Sequence, residues 1–159
     1  MVERVVEFLG AIGKRPAMVS PGVGLIANRL QMALFCEAAR CVEEGLADPR
    51  EIDEVVRSCF GFRLPFFGPF QIADMAGLDV YRAVLEQHRD GLGERFYVPE
   101  QLERLVDGGD TGTASGNGYY AYSDPESLQS ERDRRYAALD ELLGGLPPRE
   151  FSRRPRPGP

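Results

Sequence analysis

The spacing of apolar residues predicts a chain built almost entirely from helices. Apolar positions recur three and four residues apart over residues 25–44, which indicates a long amphipathic helix that Gly45 ends. The same spacing predicts a short helix over residues 2–9. Residues 15–20 form the only good strand candidate in the first half, because they are extended in character and are followed by Pro21-Gly22.

Proline and glycine divide the rest of the chain into shorter helices. Asp48-Pro49-Arg50-Glu51 provides a cap and a first-turn proline for a helix over about residues 49–58. Further helices are predicted from Gly68-Pro69, over residues 78–89 and over residues 99–106, before a glycine-rich loop at 107–118. An extended aromatic segment at 119–122 then leads to a charged helix that ends near Gly144.

Composition limits the chain to one core of ordinary domain size. It has 159 residues, of which 43% are hydrophobic, and a formal net charge of -6. An acidic chain makes a nucleic-acid partner unlikely, because such affinity depends on clustered cations. The sequence shows no targeting or membrane segment, so a cytoplasmic protein is expected. Residues 146–159 are rich in proline and arginine and are expected to be disordered.

The three cysteines indicate neither a disulfide framework nor a metal site. Cys36, Cys41 and Cys59 form no Cys-x-x-Cys pair and leave one cysteine over. They are interpreted as reduced, core-type thiols of a cytosolic protein.

Two segments fit the glycine fingerprint of dinucleotide-binding proteins. Gly22-Val23-Gly24-Leu25-Ile26-Ala27 has the Gly-x-Gly-x-x-Ala spacing and lies between an extended segment and a helix. The strand with a ribose-binding acid that should follow is replaced by a second capped helix. Gly116-Asn117-Gly118-Tyr119-Tyr120-Ala121 also has the spacing, but aromatic residues and a turn follow it instead of a helix. Neither segment is therefore expected to bind NAD.

Three polar residues have a structural and a functional interpretation. His88 is the only histidine, and its place at the polar end of a helix favours an exposed terminal residue over a general base. Asn28 lies in the first turn of the long helix, where its carboxamide can cap the helix, as the helix pattern alone favours, or project into a cleft. Glu37 lies among apolar neighbours, so it is either a paired buried carboxylate or, as we favour, an edge residue.

A series of motifs resembles the C-terminal domain of the 3-hydroxyacyl-CoA dehydrogenase family. The resemblance extends over about residues 3–122 and differs from the family pattern at Leu25, where the family has phenylalanine, and at Ala114-Ser115, where it has Lys-Thr. The matching motifs, in chain order, are Gly13-Lys14-Arg15-Pro16, Gly24-Leu25-Ile26-Ala27-Asn28-Arg29-Leu30, Glu37-Ala38, Glu51-Ile52-Asp53, Gly68-Pro69-Phe70, Asp74-Met75-Ala76-Gly77-Leu78-Asp79 and Gly116-Asn117-Gly118-Tyr119-Tyr120-Ala121-Tyr122.

The resemblance implies an all-α helical bundle of the kind shared with the C-terminal domain of 6-phosphogluconate dehydrogenase. Residues 1–20 would be a helix-strand remnant of a Rossmann domain, residues 21–145 the helical substrate and dimerisation domain, and 146–159 the tail. In the family, NAD and the catalytic histidine-glutamate pair belong to the Rossmann domain. The helical domain closes over acyl-CoA, forms most of the dimer and supplies an asparagine that Asn28 matches.

These implications leave two classes of function open. In the first, the chain is the substrate-closing and dimerising half of a 3-hydroxyacyl-CoA dehydrogenase of fatty-acid metabolism. It would be inactive alone and would need a separate NAD-binding Rossmann partner or the rest of a larger enzyme. In the second, it is a non-catalytic dimerisation or acyl-CoA-binding module that kept the fold. Asn28 is the single candidate for a substrate or transition-state contact.

Overall fold

A computed structural model describes residues 1–144 of the chain. The backbone divides into two compact units, Met1–Pro49 and a second unit that begins at Arg50. Residues 1–144 are helical apart from turns, loops and two isolated bridges, Gly112 with Asn117 and Asn117 with Ala121. The expectation of an all-α fold is therefore confirmed for this part of the chain.

The first unit contains helices α1, Val2–Ala11, and α2, Ile26–Glu43. The predicted strand at residues 15–20 is wrong, because residues 14–20 are neither helix nor strand. An extended segment becomes a strand only when a neighbour pairs with its N–H and C=O groups, and the described part of this unit offers none. The helix of the proposed remnant is present, and its strand is not.

Taken by itself, the first unit buries none of its side chains. Helix α2 presents apolar side chains on two opposite sides because a helix turns by about 100° per residue. Ile26, Leu30 and Leu34 lie on one side and are 42–60% exposed. Met32 and Phe35 lie on the other and are 51% and 64% exposed. A helix with two uncovered apolar sides is typical of an element that other parts of an assembly cover.

The second unit is a series of short helices followed by one long helix. The glycine-rich loop predicted for residues 107–118 joins the last two helices. The elements are α3 (Pro49–Val55), a π-helical turn (Val56–Phe60), a 3₁₀ turn (Gly61–Arg63), α4 (Pro69–Ala76), α5 (Leu78–Leu92), a second 3₁₀ turn (Glu94–Phe96), α6 (Glu100–Asp107) and α7 (Pro125–Gly144).

The core of the second unit lies where α4, α5 and α6 meet. Leu78 is fully buried and packs with Ala73, Val98 and Leu102, while half-buried side chains such as Leu85 surround them. Gly77 separates α4 from α5, and the backbone N–H of Leu78 donates to the carbonyl of Thr111 at 2.9 Å. The start of α5 is thus attached to the loop that follows α6.

One aromatic side chain of helix α7 attaches it to the segment after α3. The ring of Tyr136 lies 5.0 Å from that of Phe62 in an edge-to-face contact, with Phe66 and Phe67 at 6.3 and 6.1 Å. The guanidinium of Arg135 lies 5.8 Å from both of the latter rings. No residue of α7 is fully buried, so this aromatic cluster supplies much of its attachment.

The remaining expectations about the fold have mixed outcomes. No helix within residues 1–144 combines the length and apolar character needed to cross a membrane. The predicted domain boundaries at residues 20 and 145 stay predictions, as does the cytoplasmic location. The tail predicted to be disordered, 146–159, lies outside the described residues.

Candidate functional site

Asn28 is exposed in the first turn of α2. The residue that caps this helix is Leu25, and no side chain bonds to the first-turn N–H groups there. Within residues 1–144 the carboxamide of Asn28 has no hydrogen-bond partner. Its structural interpretation as a cap is therefore not supported by the geometry, and both its N–H donors and its oxygen are available to a ligand.

The side of α2 that carries Asn28 also carries two exposed apolar side chains. Met32 follows one turn later and Phe35 two turns later, so the three side chains line one strip of the helix. Exposed apolar side chains beside an amide give this strip the composition of a small-molecule contact surface. Whether Asn28 contacts a substrate stays a prediction.

Glu37 is paired as an edge residue, and is not buried. Its Oε2 accepts a hydrogen bond from Nη1 of Arg40 at 2.9 Å, one turn along α2. The two side chains are 30% and 42% exposed, which makes this a partly solvated pair of small net energy. The favoured interpretation from the sequence agrees with this geometry.

His88 lies in the last turns of α5 but is half-buried, where the sequence suggested full exposure. Its Nδ1 lies 2.7 Å from the carbonyl oxygen of Val84, and its ring packs edge-on against Phe96 at 5.3 Å. The 3₁₀ turn after α5 brings Phe96 back onto the ring, which a helical pattern alone does not reveal. These contacts give His88 a structural role.

The described residues do not fit a bound dinucleotide. The first fingerprint, residues 22–27, leads into α2, but no strand precedes it and no strand follows the helix within residues 1–144. A Rossmann site needs both strands to position the pyrophosphate and the ribose. The Gly-x-Gly-x-x-Ala spacing of residues 22–27 therefore does not form an NAD-binding site.

The second fingerprint, residues 116–121, belongs to a loop that wraps around a buried carboxylate. Asp74, in α4, is 1% exposed. Its Oδ1 accepts a hydrogen bond from the backbone N–H of Tyr119 at 3.0 Å. Its Oδ2 accepts one from the N–H of Tyr120 at 3.0 Å and one from the hydroxyl of Tyr122 at 2.8 Å. Three donors satisfy the charge that burial would otherwise penalise.

Two glycines let the loop approach Asp74 closely. A Cβ on Gly118 would overlap the carboxylate of Asp74, and a Cβ on Gly112 would overlap its backbone carbonyl. Gly112 also has a φ of +109°, a conformation that favours glycine. Thr113 completes the contact, since its N–H donates to the carbonyl of Asp74 at 2.9 Å. The glycine pattern serves this loop and not a phosphate.

Tyr119 and Tyr122 are held in their neutral form. Burial, then the hydrogen bond to Asp74 and the charge of that carboxylate, raise the pKa of Tyr122 above its ordinary value. Burial, then the charge of Asp74, also raise the pKa of Tyr119. A neutral hydroxyl that donates to a carboxylate is better suited to a structural contact than to proton transfer. We refer to Asp74 and residues 112–122 as the Asp74 knot.

The cysteines are free, as expected, but they are not core thiols. Cys36 and Cys59 are exposed and Cys41 is half-buried. The prediction failed for Cys36 because the first unit leaves residues 26–36 of α2 exposed. Among residues 1–144 no group of three or more His, Cys, Asp or Glu side chains is placed to bind a metal ion.

Asp74 lies in one of the motifs that resemble the family, but the sequence alone indicated no role for it. Its signal was an aspartate between apolar residues, Ile72, Ala73 and Met75, in a short helix. A carboxylate there must be paired or excluded from the core. The partner could not be identified because it lies 45–48 residues away along the chain.

Comparison with known protein families identifies the domain that contains Asn28 and the Asp74 knot. The family model of the 3-hydroxyacyl-CoA dehydrogenase C-terminal domain matches residues 24–122, which include α2 with Asn28 and the whole Asp74 knot. The chain belongs to the 3-hydroxyacyl-CoA dehydrogenase family. The resemblance expected from the motifs is therefore confirmed.

Relatives and solved structures of this dehydrogenase family agree. The chain is 38% identical over 119 residues to a probable 3-hydroxybutyryl-CoA dehydrogenase of Deinococcus radiodurans, covering 74% of this chain and 42% of that protein. It is 32% identical over 147 residues to a 5-formyl-3-hydroxy-2-methylpyridine 4-carboxylate 5-dehydrogenase of Mesorhizobium japonicum, covering 91% and 48%. A crystal structure of a 3-hydroxyacyl-CoA dehydrogenase from Archaeoglobus fulgidus matches 90% of this chain and 49% of its own, with 32% identity and a TM-score of 0.77.

The dehydrogenase domain thus spans about half the length of the relatives it matches. The matched half is the helical one, which contains Asn28 but no dinucleotide site within residues 1–144.

Proposed function

We propose that this chain acts as the substrate-closing and dimerising half of a 3-hydroxyacyl-CoA dehydrogenase. The observation that carries the proposal is the family match over residues 24–122 together with the exposed, unbonded carboxamide of Asn28 within that range.

Asn28 is proposed to contact the reacting end of the substrate. Oxidation of a 3-hydroxyl group places negative charge on its oxygen as the proton leaves, and a fixed amide N–H can donate to that oxygen. Met32 and Phe35, on the same side of α2, would exclude water from the contact and strengthen it.

The opposite side of α2 is proposed to be covered by a second copy of the chain. Ile26, Leu30 and Leu34 are spaced four residues apart and keep 42–60% of their surface exposed. Removing such side chains from water is worth about 25 cal/mol per Å² of apolar area, so several of them from each copy stabilise a dimer. The dimer would leave the Asn28 side of the helix free.

NAD is proposed to be held by a nucleotide-binding domain that is separate from residues 1–144. That domain would belong to a separate chain or to a longer form of this protein, and it would supply the base that His88 does not. The described residues then contribute binding and orientation of the substrate, and their isolated form would be inactive.

A second substrate class has a specific observation in its favour. The pyridine carboxylate dehydrogenase of Mesorhizobium matches 91% of this chain at 32% identity, the same identity and nearly the same share as the Archaeoglobus 3-hydroxyacyl-CoA dehydrogenase, which matches 90%. Oxidation at a substituent of an aromatic acid is therefore the alternative to oxidation of an acyl-CoA. An aromatic ring would pack against Phe35 as readily as an acyl chain would.

A domain graft tests the proposal and separates the two substrates. Residues 21–144 replace the corresponding C-terminal domain of the Deinococcus relative, and NADH oxidation is followed with acetoacetyl-CoA and, in parallel, NAD reduction with the pyridine substrate. Activity of the graft is expected, and Asn28→Ala should lower kcat by about 100-fold, since one donor to a developing oxyanion is worth 2.7–4 kcal/mol.

The matched control is Gln31→Ala, which removes the other exposed amide of α2, three residues beyond Asn28 and outside the strip of Asn28, Met32 and Phe35. It should leave kcat within about twofold. A graft in which Asn28→Ala and Gln31→Ala have the same turnover as the parent would contradict the proposed contact. A folded graft inactive with both substrates would favour a module that kept the fold without the chemistry.

A further inference from the structure

A cleft of about 450 Å³ lies between α7 and the π-helical turn in the second unit. Its volume is in the range of roughly 300–1,000 Å³ that small-molecule sites occupy. One wall is formed by Arg57, Ser58 and Phe62, and the other by α7 from Tyr136 to Leu143. The α7 wall lies outside residues 24–122, so the family match does not account for this cleft.

The wall opposite α7 has an unusual backbone. Residues Val56–Phe60 form a π-helical turn that follows α3 without a break. Such turns are rare and occur frequently at functional sites, because the wider turn displaces side chains from the ordinary helical spacing. Here the turn carries Arg57 and Ser58, both of which face the cleft.

The cleft is apolar along its length and carries both signs of charge. Phe62, Leu139 and Leu143 provide apolar surface, and Arg57 and Asp140 contribute one positive and one negative group. Arg57 is partly engaged, since its Nη2 donates to Oε2 of Glu54 at 2.6 Å. A guanidinium has five N–H donors, so others remain for a ligand. Asp140 has no bonded partner among residues 1–144.

This combination selects against a charged head group. A carboxylate in the cleft would pair with Arg57 but also meet Asp140, and an ammonium group would pair with Asp140 but also meet Arg57, so each ion pair is offset by a like charge. A neutral amide has no such conflict. Its carbonyl oxygen accepts from Arg57 while its N–H donates to Asp140, and an alkyl chain covers the apolar wall.

We propose that the α7 cleft, defined by these two walls, binds a neutral amphiphile that consists of an unbranched alkyl chain and an amide head group. The site is separate from the proposed contact at Asn28, and the proposal does not depend on dehydrogenase activity. In this proposal α7 forms one wall of a ligand site. The contact of Tyr136 with Phe62 holds the helix in place.

Three probes that differ only in their head group test the inference. Octanamide, octanoate and octylamine are titrated separately into the purified chain by isothermal calorimetry, with NMR of the tyrosine ring signals as the second readout. Octanamide is expected to bind saturably at one site per chain and about tenfold more tightly than either charged probe.

Two neighbouring leucines of α7 supply a matched pair of variants. Leu143 lines the cleft and is 51% exposed, whereas Leu142 is 64% exposed and does not line it. Leu143→Gln should weaken octanamide binding about tenfold, and Leu142→Gln should leave it unchanged. Circular dichroism of both variants checks that α7 is still helical.

Asp140→Asn provides a test that does not depend on the leucine variants. It removes the group that repels a carboxylate, so the preference for octanamide over octanoate should fall by about tenfold. Equal binding of all three probes, absence of saturation, or equal weakening by the two leucine variants would each overturn the proposal. An unchanged octanamide preference in Asp140→Asn would do the same.

Discussion

The hydroxyl of Tyr122 donates a hydrogen bond of 2.8 Å to the carboxylate of Asp74, although 48 residues separate them along the chain. This bond and the two from the backbone of Tyr119 and Tyr120 attach the loop after α6 to the last turn of α4. Asp74 therefore acts as the point at which two distant motifs of the sequence, Asp74-Met75-Ala76-Gly77-Leu78-Asp79 and Gly116–Tyr122, meet.

Replacing Asp74 should strongly destabilise the second unit. Asp74→Asn leaves one of the two carboxylate oxygens as an NH₂ group that faces donors, so buried N–H or O–H groups lose their acceptor. We expect a loss of about 3 kcal/mol in the free energy of unfolding, measured by urea denaturation. Asp79→Asn in the same motif is the control, because Asp79 is exposed and should change stability by less than about 1 kcal/mol. Similar losses for both variants would contradict a special role of Asp74.

Gly118→Ala tests the close approach of the loop to the same carboxylate. The added methyl group would overlap Asp74, so the loop must move and lose hydrogen bonds, at an expected cost of about 2–3 kcal/mol. Gly91→Ala is the matched control. Gly91 lies in α5 with open space around its Cβ position, and the change should stabilise the chain by about 0.5–1 kcal/mol. Thermal or urea unfolding of the two variants should therefore shift in opposite directions.

The helices were predictable from the sequence because their signals are local. The apolar spacing and Gly45 predict α2 to within about two residues, and the proline at its start predicts α4. The π-helical turn at Val56–Phe60 was not predicted, since residues 49–58 read as one continuous helix. The strand at 15–20 failed because pairing is not a property of a single segment.

The candidate site was less predictable for a related reason. Asn28 was found through its place in a motif, whereas the helix pattern alone favoured a cap that the structure does not form. The Asp74 knot depends on pairs 45–48 residues apart, which no periodicity reveals. The α7 cleft likewise combines residues near 57 with residues near 140. The sequence therefore revealed local motifs, but it did not reveal which distant residues come together in the fold.

Stability should fall at alkaline pH because of the tyrosines in the Asp74 knot. The pKa of Tyr122 is raised above the ordinary value of 10.0 in the folded chain, so folding favours the protonated hydroxyl. Its contribution is fully present below about pH 10 and is lost as the unfolded chain ionises above that pH. Urea unfolding from about pH 8 to about pH 11 should show the decline.

The control for this pH dependence is Tyr122→Phe, which removes the ionisable hydroxyl. The variant should be less stable at neutral pH, because Asp74 loses a donor, yet its stability should decline less steeply above about pH 10. Tyr119 and Tyr81 also have raised pKa values, so part of the decline should remain. An identical decline of the unfolding free energy with pH in the parent chain and in Tyr122→Phe would show that Tyr122 does not cause the decline.

Removing the ring of Tyr136 should detach α7 from the rest of the second unit. Tyr136→Ala removes the contacts with Phe62, Phe66 and Phe67, and we expect a loss of about 2 kcal/mol in the attachment of the helix. Trypsin should then cleave faster at the arginines of α7, including Arg134, while the core around Leu78 stays protected. Tyr136→Phe keeps the ring and should be cleaved at the parent rate. Equal cleavage of Tyr136→Ala and Tyr136→Phe would contradict this attachment.

The proposed dimer can be tested on α2 with one added charge. Leu30 lies in the centre of the strip formed with Ile26 and Leu34 and is 60% exposed. Leu30→Glu places a carboxylate in the proposed interface, which would have to be desolvated without a partner, so the dimer should weaken by at least about 100-fold. Gln31→Glu adds the same charge to the neighbouring position and should have little effect. Sedimentation equilibrium of both variants measures the difference. A parent chain that is monomeric at high concentration, or a Leu30→Glu variant that dimerises like the parent, would show that another surface covers this side of α2.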